Sequence, residues 1–290
     1  PLGLLRAQHH RLIVAASPTP LVLRLSVVPP LAEVGPFAVL YLLDPEPELF
    51  SLAATHIFGR AGYDADDSPQ ASPLRRLAVV GVGHHPEELK GHAGGWDVVA
   101  LRQRRRSHFL RGEGGFLKAL CDDVVPFAEH ELLGLDGLQP EHRALLGCSL
   151  SSLLALRVLF NCPAIFGGFI LGSPSLPLAT RLFDEEEESA ASYVPIALHH
   201  SVALYVVVGA REGTILGGGN QIPMQSHRMA ERLLGRTIAC EMHLVPGENH
   251  DSLKPSLISS GLGWLEERMR KADGLCTSQA RLPPSHTASP

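Results

Sequence analysis

Runs rich in valine and leucine recur along the chain, spaced so that a helix fits between most neighbours. They are "LVLRLSVV" from Leu21, "FAVLYLL" from Phe37, "RLAVVGVG" from Arg76, "RALLG" from Arg143, "FGGFILG" from Phe166, "VALYVVVG" from Val202 and "IACEMHLV" from Ile238. The middle runs are nearly continuous instead of alternating, which is the pattern of strands covered on both faces. Between them, residues 116–133, 150–160, 225–235 and 256–271 place apolar side chains three and four apart, as helices with one buried stripe do. Strands alternating with helices predict an α/β fold: a mostly parallel central sheet with helices on both faces.

Punctuation residues refine this outline. Pro126 falls inside the first helical pattern and predicts a bend there, because it lacks an amide donor and its ring crowds the preceding turn. The segment from Gly59 to Pro73, "GRAGYDADDSPQASP", reads as an exposed loop, Asp184 to Glu188 as a solvated acidic loop, and Gly217 to Gly219 as a flexible connection. The tail from Gly274 has no periodicity and is expected to be disordered, leaving residues 1–273 as a single domain.

Composition narrows the partners. A chain of 290 residues with 45% hydrophobic side chains has enough apolar material for a sizeable core. The formal net charge of −5 supplies no basic field, so the expected partner is a small molecule and not a nucleic acid. No apolar run approaches the roughly 20 residues that span a bilayer. The five cysteines are odd in number and lack CxxC or Cys/His spacing, which argues against a disulfide framework and a structural metal, and for a reducing, cytoplasmic compartment. Pro1 stands where an initiating methionine would, leaving room for a natural segment before it.

Candidate chemistry centres on "LLGCSLSSLL", residues 145–154. Ser149 falls between a predicted strand and a predicted helix, the context in which a serine on a sharp turn becomes a nucleophile. A serine hydroxyl needs an imidazole as base and a carboxylate to orient that imidazole, in the chain order Ser, Asp/Glu, His. Glu212 is the acidic residue just past a strongly apolar strand, and His250, in "VPGENHDS", follows the last strand. Leu150 opens the helix after the serine, so its amide is a candidate donor to an oxyanion, and the second donor is expected near Asp44, Pro45 and Glu46. His84 and His85 read as a loop or pocket wall and not as metal ligands. The run Arg104, Arg105, Arg106 suits either an anionic substrate or a solvated face.

These segments together resemble the esterases of the α/β-hydrolase fold that include siderophore (enterochelin-type) esterases and, more distantly, feruloyl esterases and S-formylglutathione hydrolases. "YLLDPEPELF", "VVGVGHHP", "RQRRRSHFL", "GGFLKALCDDVVPFAEHEL", the stretch from Arg143 to Leu176 with its Ser173-Pro174-Ser175 turn, "VVVGAREG" and "VPGENHDS" carry the likeness, which spans Leu21 to Met269. The resemblance implies Ser149 as nucleophile, His250 as general base, Glu212 as its orienter, and Asp44, His84, Arg104 and Arg106 as substrate contacts, with no cofactor. It implies a serine hydrolase that cleaves a small-molecule carboxylic ester through an acyl-enzyme. Acyl transfer to another acceptor would use the same trio and is an alternative the sequence does not separate. Of three departures from the family pattern, Ser107-His108 replaces the aspartate of the arginine segment, and the other two motivate the alternative of a non-catalytic binding protein on the same scaffold. Pro45 replaces a glycine and has no amide, which leaves the second oxyanion contact to Glu46, and Ser151 replaces the glycine two residues after the nucleophile, where its Cβ is expected to crowd the turn.

Overall fold

The computed structural model describes residues 7–15, 20–44, 47–61, 72–85, 103–112, 115–212 and 221–273. Eight strands form one sheet: β1 (Gln8–Val14), β2 (Leu21–Val28), β3 (Ala38–Leu43), β4 (Leu77–His84), β5 (Arg143–Cys148), β6 (Gly168–Gly172), β7 (Ala203–Gly209) and β8 (Ala239–Val245). Their order across the sheet is β1-β2-β4-β3-β5-β6-β7-β8. The β1-β2 and β2-β4 pairs are antiparallel and the remaining pairs parallel.

Alternation along the central strands divides the core into two layers. On β3, Val39, Tyr41 and Leu43 face one layer while Ala38, Leu40 and Leu42 face the other. Helix α1 (Pro47–Ala61) and helix α5 (Lys254–Ala272) cover the second layer with Phe50, Ala53, Ile57, Leu257, Ile258, Leu262 and Trp264. The first layer is closed by α2 (Leu150–Asn161), α3 (Leu182–His199), α4 (Gln221–Gly235) and the wound segment 116–133. Every side chain from Ser151 to Phe160 is buried, so α2 is enclosed all round and not amphipathic.

Three sequence readings change. Asp184 to Glu188 is not a loop: it lies in α3, where Glu186 is fully buried and accepts hydrogen bonds from Tyr193 (2.7 Å), Arg232 and Arg236. A run of acids reads as solvated because the sequence does not reveal the arginines that α4 and the residue after it bring up to neutralise them. Residues 116–133 are helical as expected, but wound as an α turn and then π turns, with Pro126 immediately before the last of them. A missing amide interrupts the regular ladder, and wider turns let the chain continue past it. The tail from 274 and the Gly217 to Gly219 connection lie outside the described residues, as do residues 62–71 of the segment read as an exposed loop. The described ends of that segment are not exposed loop, since Gly59 to Ala61 close α1, and Ser72 and Pro73 are buried where a 3-10 turn begins.

Candidate active site

The chain places Ser149 directly after β5, with φ 61° and ψ −118°, a backbone conformation that side chains other than glycine's rarely adopt. Three contacts hold the turn. The Ser149 amide donates to the Gly172 carbonyl at 2.8 Å, and the Ser152 hydroxyl donates to the Gly147 and Gly172 carbonyls at 2.8 and 3.1 Å. At Gly147 a Cβ would lie 2.6 Å from the Ser151 backbone, so only glycine lets the helix return so close to its strand. The expected crowding from Ser151 does not arise. Its hydroxyl is buried, accepts from the Cys148 amide at 2.9 Å and lies 2.9 Å from the Cys148 carbonyl, to which it donates, so it braces the turn.

Ser149, His250 and Glu212 meet. Ser149 Oγ lies 2.9 Å from His250 Nε2, and His250 Nδ1 lies 3.1 Å from Glu212 Oε2. Glu212 follows β7 and its side chain is wholly buried, whereas the His250 side chain is 28% exposed, open on the side from which solvent arrives. The Glu212 carboxylate is satisfied on its other oxygen, which accepts from the Gly209 amide at 2.8 Å and from the Ser173 hydroxyl. Gly209 permits this fold-back, since a Cβ there would lie 2.6 Å from the Glu248 carbonyl oxygen and 3.0 Å from Glu212 Oε1. An ionised carboxylate only accepts, so Nδ1 carries the imidazole proton and Nε2 presents its lone pair to the serine.

A cleft of about 200 Å³ opens above the serine, lined by Asp44, Leu49, Arg105, Cys148, Ser149, His250, Asp251 and Lys254. Of the residues proposed from sequence as substrate contacts, Asp44 lines it and pairs with Arg105 at 2.5 Å. Arg105 is therefore the member of the arginine run that reaches the cleft. Arg104 and Arg106 are not among its lining residues, and Arg106 is exposed at the start of a π turn, Arg106–Leu110. His84 ends β4, buried, with Nε2 2.9 Å from His108 Nδ1 and its ring packed on His108, Phe109 and Phe116. Burial, reinforced by His108, Arg104 and Arg105, pushes its pKa down to about 3, so it is neutral. Leu150 is the first residue of α2, where an amide has no acceptor within the helix. Pro45 and Glu46 lie outside the described residues. Among the described residues no group of three His, Cys, Asp or Glu side chains is arranged to hold a metal ion, and no helix is long and apolar enough to cross a membrane.

Sequence reasoning did not single out Arg105 within its run, nor Lys254 or Asp251, and it took in Ser173 and Ser175 only as parts of a turn in the family likeness, without a role for either. The available signal for the two serines was their position: both follow β6, the strand beside the one that delivers Ser149.

No family model matches the sequence, and no curated protein does. Solved structures do match over nearly the whole chain. The siderophore hydrolase EstA from Aspergillus nidulans superposes with a TM-score of 0.67 at 20% identity, over 90% of this chain and 95% of that one. The BES protein from Bacillus cereus gives 0.66 at 19% identity, over 89% and 94%. An IroE-like serine hydrolase from Shewanella oneidensis gives 0.62 at 16% identity, over 90% and 79%. The chain has the α/β-hydrolase fold. Ser149 lies at the turn from β5 into α2, and Glu212 and His250 follow β7 and β8.

Proposed function

We propose that this protein is a serine hydrolase that cleaves a small-molecule carboxylic ester through an acyl-enzyme. The observation that carries the reading is the continuous alignment of Ser149 Oγ, the His250 ring and the Glu212 carboxylate, at 2.9 and 3.1 Å. Ser149 Oγ attacks the ester carbonyl while its proton passes to His250 Nε2. The resulting imidazolium is stabilised by Glu212, and the carbonyl oxygen, now an anion, is met by the Leu150 amide. His250 then returns the proton to the departing alkoxide, leaving an ester on Ser149. Water, deprotonated by the same imidazole, releases the acid and restores the serine. Neighbours whose names are siderophore and serine hydrolases support hydrolysis, and the family likeness of the segments supports an ester over an amide as substrate. The non-catalytic alternative has no use for a hydroxyl and an imidazole held in line, which favours the enzyme.

The test is covalent labelling of the purified chain with a fluorophosphonate probe, with the adduct located by peptide mass spectrometry. We expect the adduct on Ser149, lost in Ser149→Ala and reduced at least about 1,000-fold in rate in His250→Ala. A folded chain that stays unlabelled, or is labelled equally in all three forms, overturns the reading.

A further inference from the structure

Ser149 Oγ has a second neighbour besides His250: the hydroxyl of Ser175, 3.0 Å away. Ser175 follows β6, is 5% exposed, and precedes a short 3-10 turn, Leu176–Leu178. Its amide donates to the Ser149 carbonyl at 3.3 Å, so backbone as well as side chain ties it to the nucleophile's residue. The direction of the hydroxyl contact follows from counting protons. Glu212 accepts from Nδ1 of His250, so Nε2 of the neutral ring has no proton and takes the one on Ser149. With its own hydrogen committed to His250, Ser149 Oγ can meet Ser175 only as an acceptor.

We infer that Ser175 is a catalytic residue of this site, donating a hydrogen bond to the nucleophilic oxygen throughout the reaction. This rests on the serine-hydrolase reading above. A hydroxyl oxygen has four directions around it. In Ser149 one holds Cβ, one the hydrogen given to His250, and one the lone pair held by Ser175. The remaining lone pair is left to meet the substrate, so the donor fixes the attack direction without occupying it. As the proton leaves for His250, negative charge grows on Oγ and the Ser175 bond strengthens, which lowers the barrier to attack. In deacylation Oγ is the leaving alkoxide, and the same donor stabilises it. The proton of Ser175 stays on Ser175 in both steps, so no group is consumed.

The experiment compares wild type, Ser175→Ala and Ser175→Cys as full chains. It measures the second-order rate of fluorophosphonate labelling, kcat and KM on p-nitrophenyl acetate, and thermal melting. Removing a bond to a charged acceptor predicts labelling about 10- to 100-fold slower in Ser175→Ala, with kcat reduced by a similar factor and KM unchanged. Ser175→Cys keeps the shape but has a weaker donor, and is expected to fall between the two. A wild-type labelling rate in folded Ser175→Ala overturns the inference, and if that variant does not fold, a wild-type rate in Ser175→Cys does so. Absence of labelling in the wild-type chain overturns both the inference and the reading beneath it, so the two failures are told apart by the first measurement.

Discussion

Glu212 is held by its surroundings in a way that dictates what a substitution would do. Oε1 already accepts from the Gly209 amide and the Ser173 hydroxyl, so in Glu212→Gln the carboxamide carbonyl would take that place and its NH2 would face His250 Nδ1. Nδ1 would then have to accept, moving the ring proton to Nε2, where it can no longer receive the proton of Ser149. We expect kcat to fall on the order of 10³- to 10⁴-fold with the circular dichroism spectrum unchanged, and a kcat within about tenfold of wild type would contradict this account. That Ser149, Glu212 and His250 converge was legible in the sequence, because each directly follows an apolar run and so sits at the same end of the sheet. The contact of Ser175 with Ser149 was not, although its turn was part of the likeness, because a hydroxyl's partner depends on how closely two neighbouring strands end, and that distance has no trace in spacing. Arg105 was hidden for a related reason: three arginines in a row look alike until the helical turn selects which of them faces the cleft.

At the scale of elements, one buried carboxylate ties together β3, β5 and the wound segment 116–133. Glu129 accepts two hydrogen bonds from Arg143, both 2.7 Å, and one from the Tyr41 hydroxyl at 2.9 Å. Burial, then the Glu129 carboxylate, pushes the Tyr41 phenol well above its ordinary range, so it remains a donor. Arg143→Met would leave that carboxylate buried with the phenol alone. The expected loss is about 3–5 kcal/mol in chemical denaturation, part of which the further change Glu129→Gln should restore. Equal stability of Arg143→Met and wild type would show that solvent already reaches the pair. Strands β2 to β8 were legible from their apolar runs, whereas β1, α1 and α3 were not assigned. In β1 the sequence "QHHRLIV" carries few apolar residues because it is an edge strand with mostly exposed side chains. In α3 the acidic run masks a helix whose buried face is completed by arginines about 46 to 50 residues later.

For the whole molecule, the parallel strands bring their carboxyl ends to one edge, and Asp44, His84, Ser149, Ser173, Glu212 and His250 all lie there, where ligands meet sheets of this kind. One of these residues also links the fold to pH. His84, faced by His108, Arg104 and Arg105, has its pKa pushed down to about 3 in the folded chain, below the roughly 6.5 of an unfolded one. Above pH 6.5 it is neutral in both states and adds no slope. As pH falls from 6.5 toward 3 the unfolded chain takes up a proton that the folded chain does not, and stability declines by up to about 1.4 kcal/mol per pH unit from this group. Denaturation midpoints at pH 7, 5.5 and 4 should therefore converge in His84→Gln relative to wild type, and parallel slopes in the two proteins would place the acid sensitivity elsewhere.

On the function proposed above, the turn at Ser149 sets fitness for reaction against ease of folding. A left-handed backbone there disfavours every residue except glycine by about 1–3 kcal/mol, yet glycine has no hydroxyl to offer. A descendant that no longer needed the reaction would thus gain stability by a drift from serine to glycine at this one position, and the chain would become sturdier in the same step that made it inert.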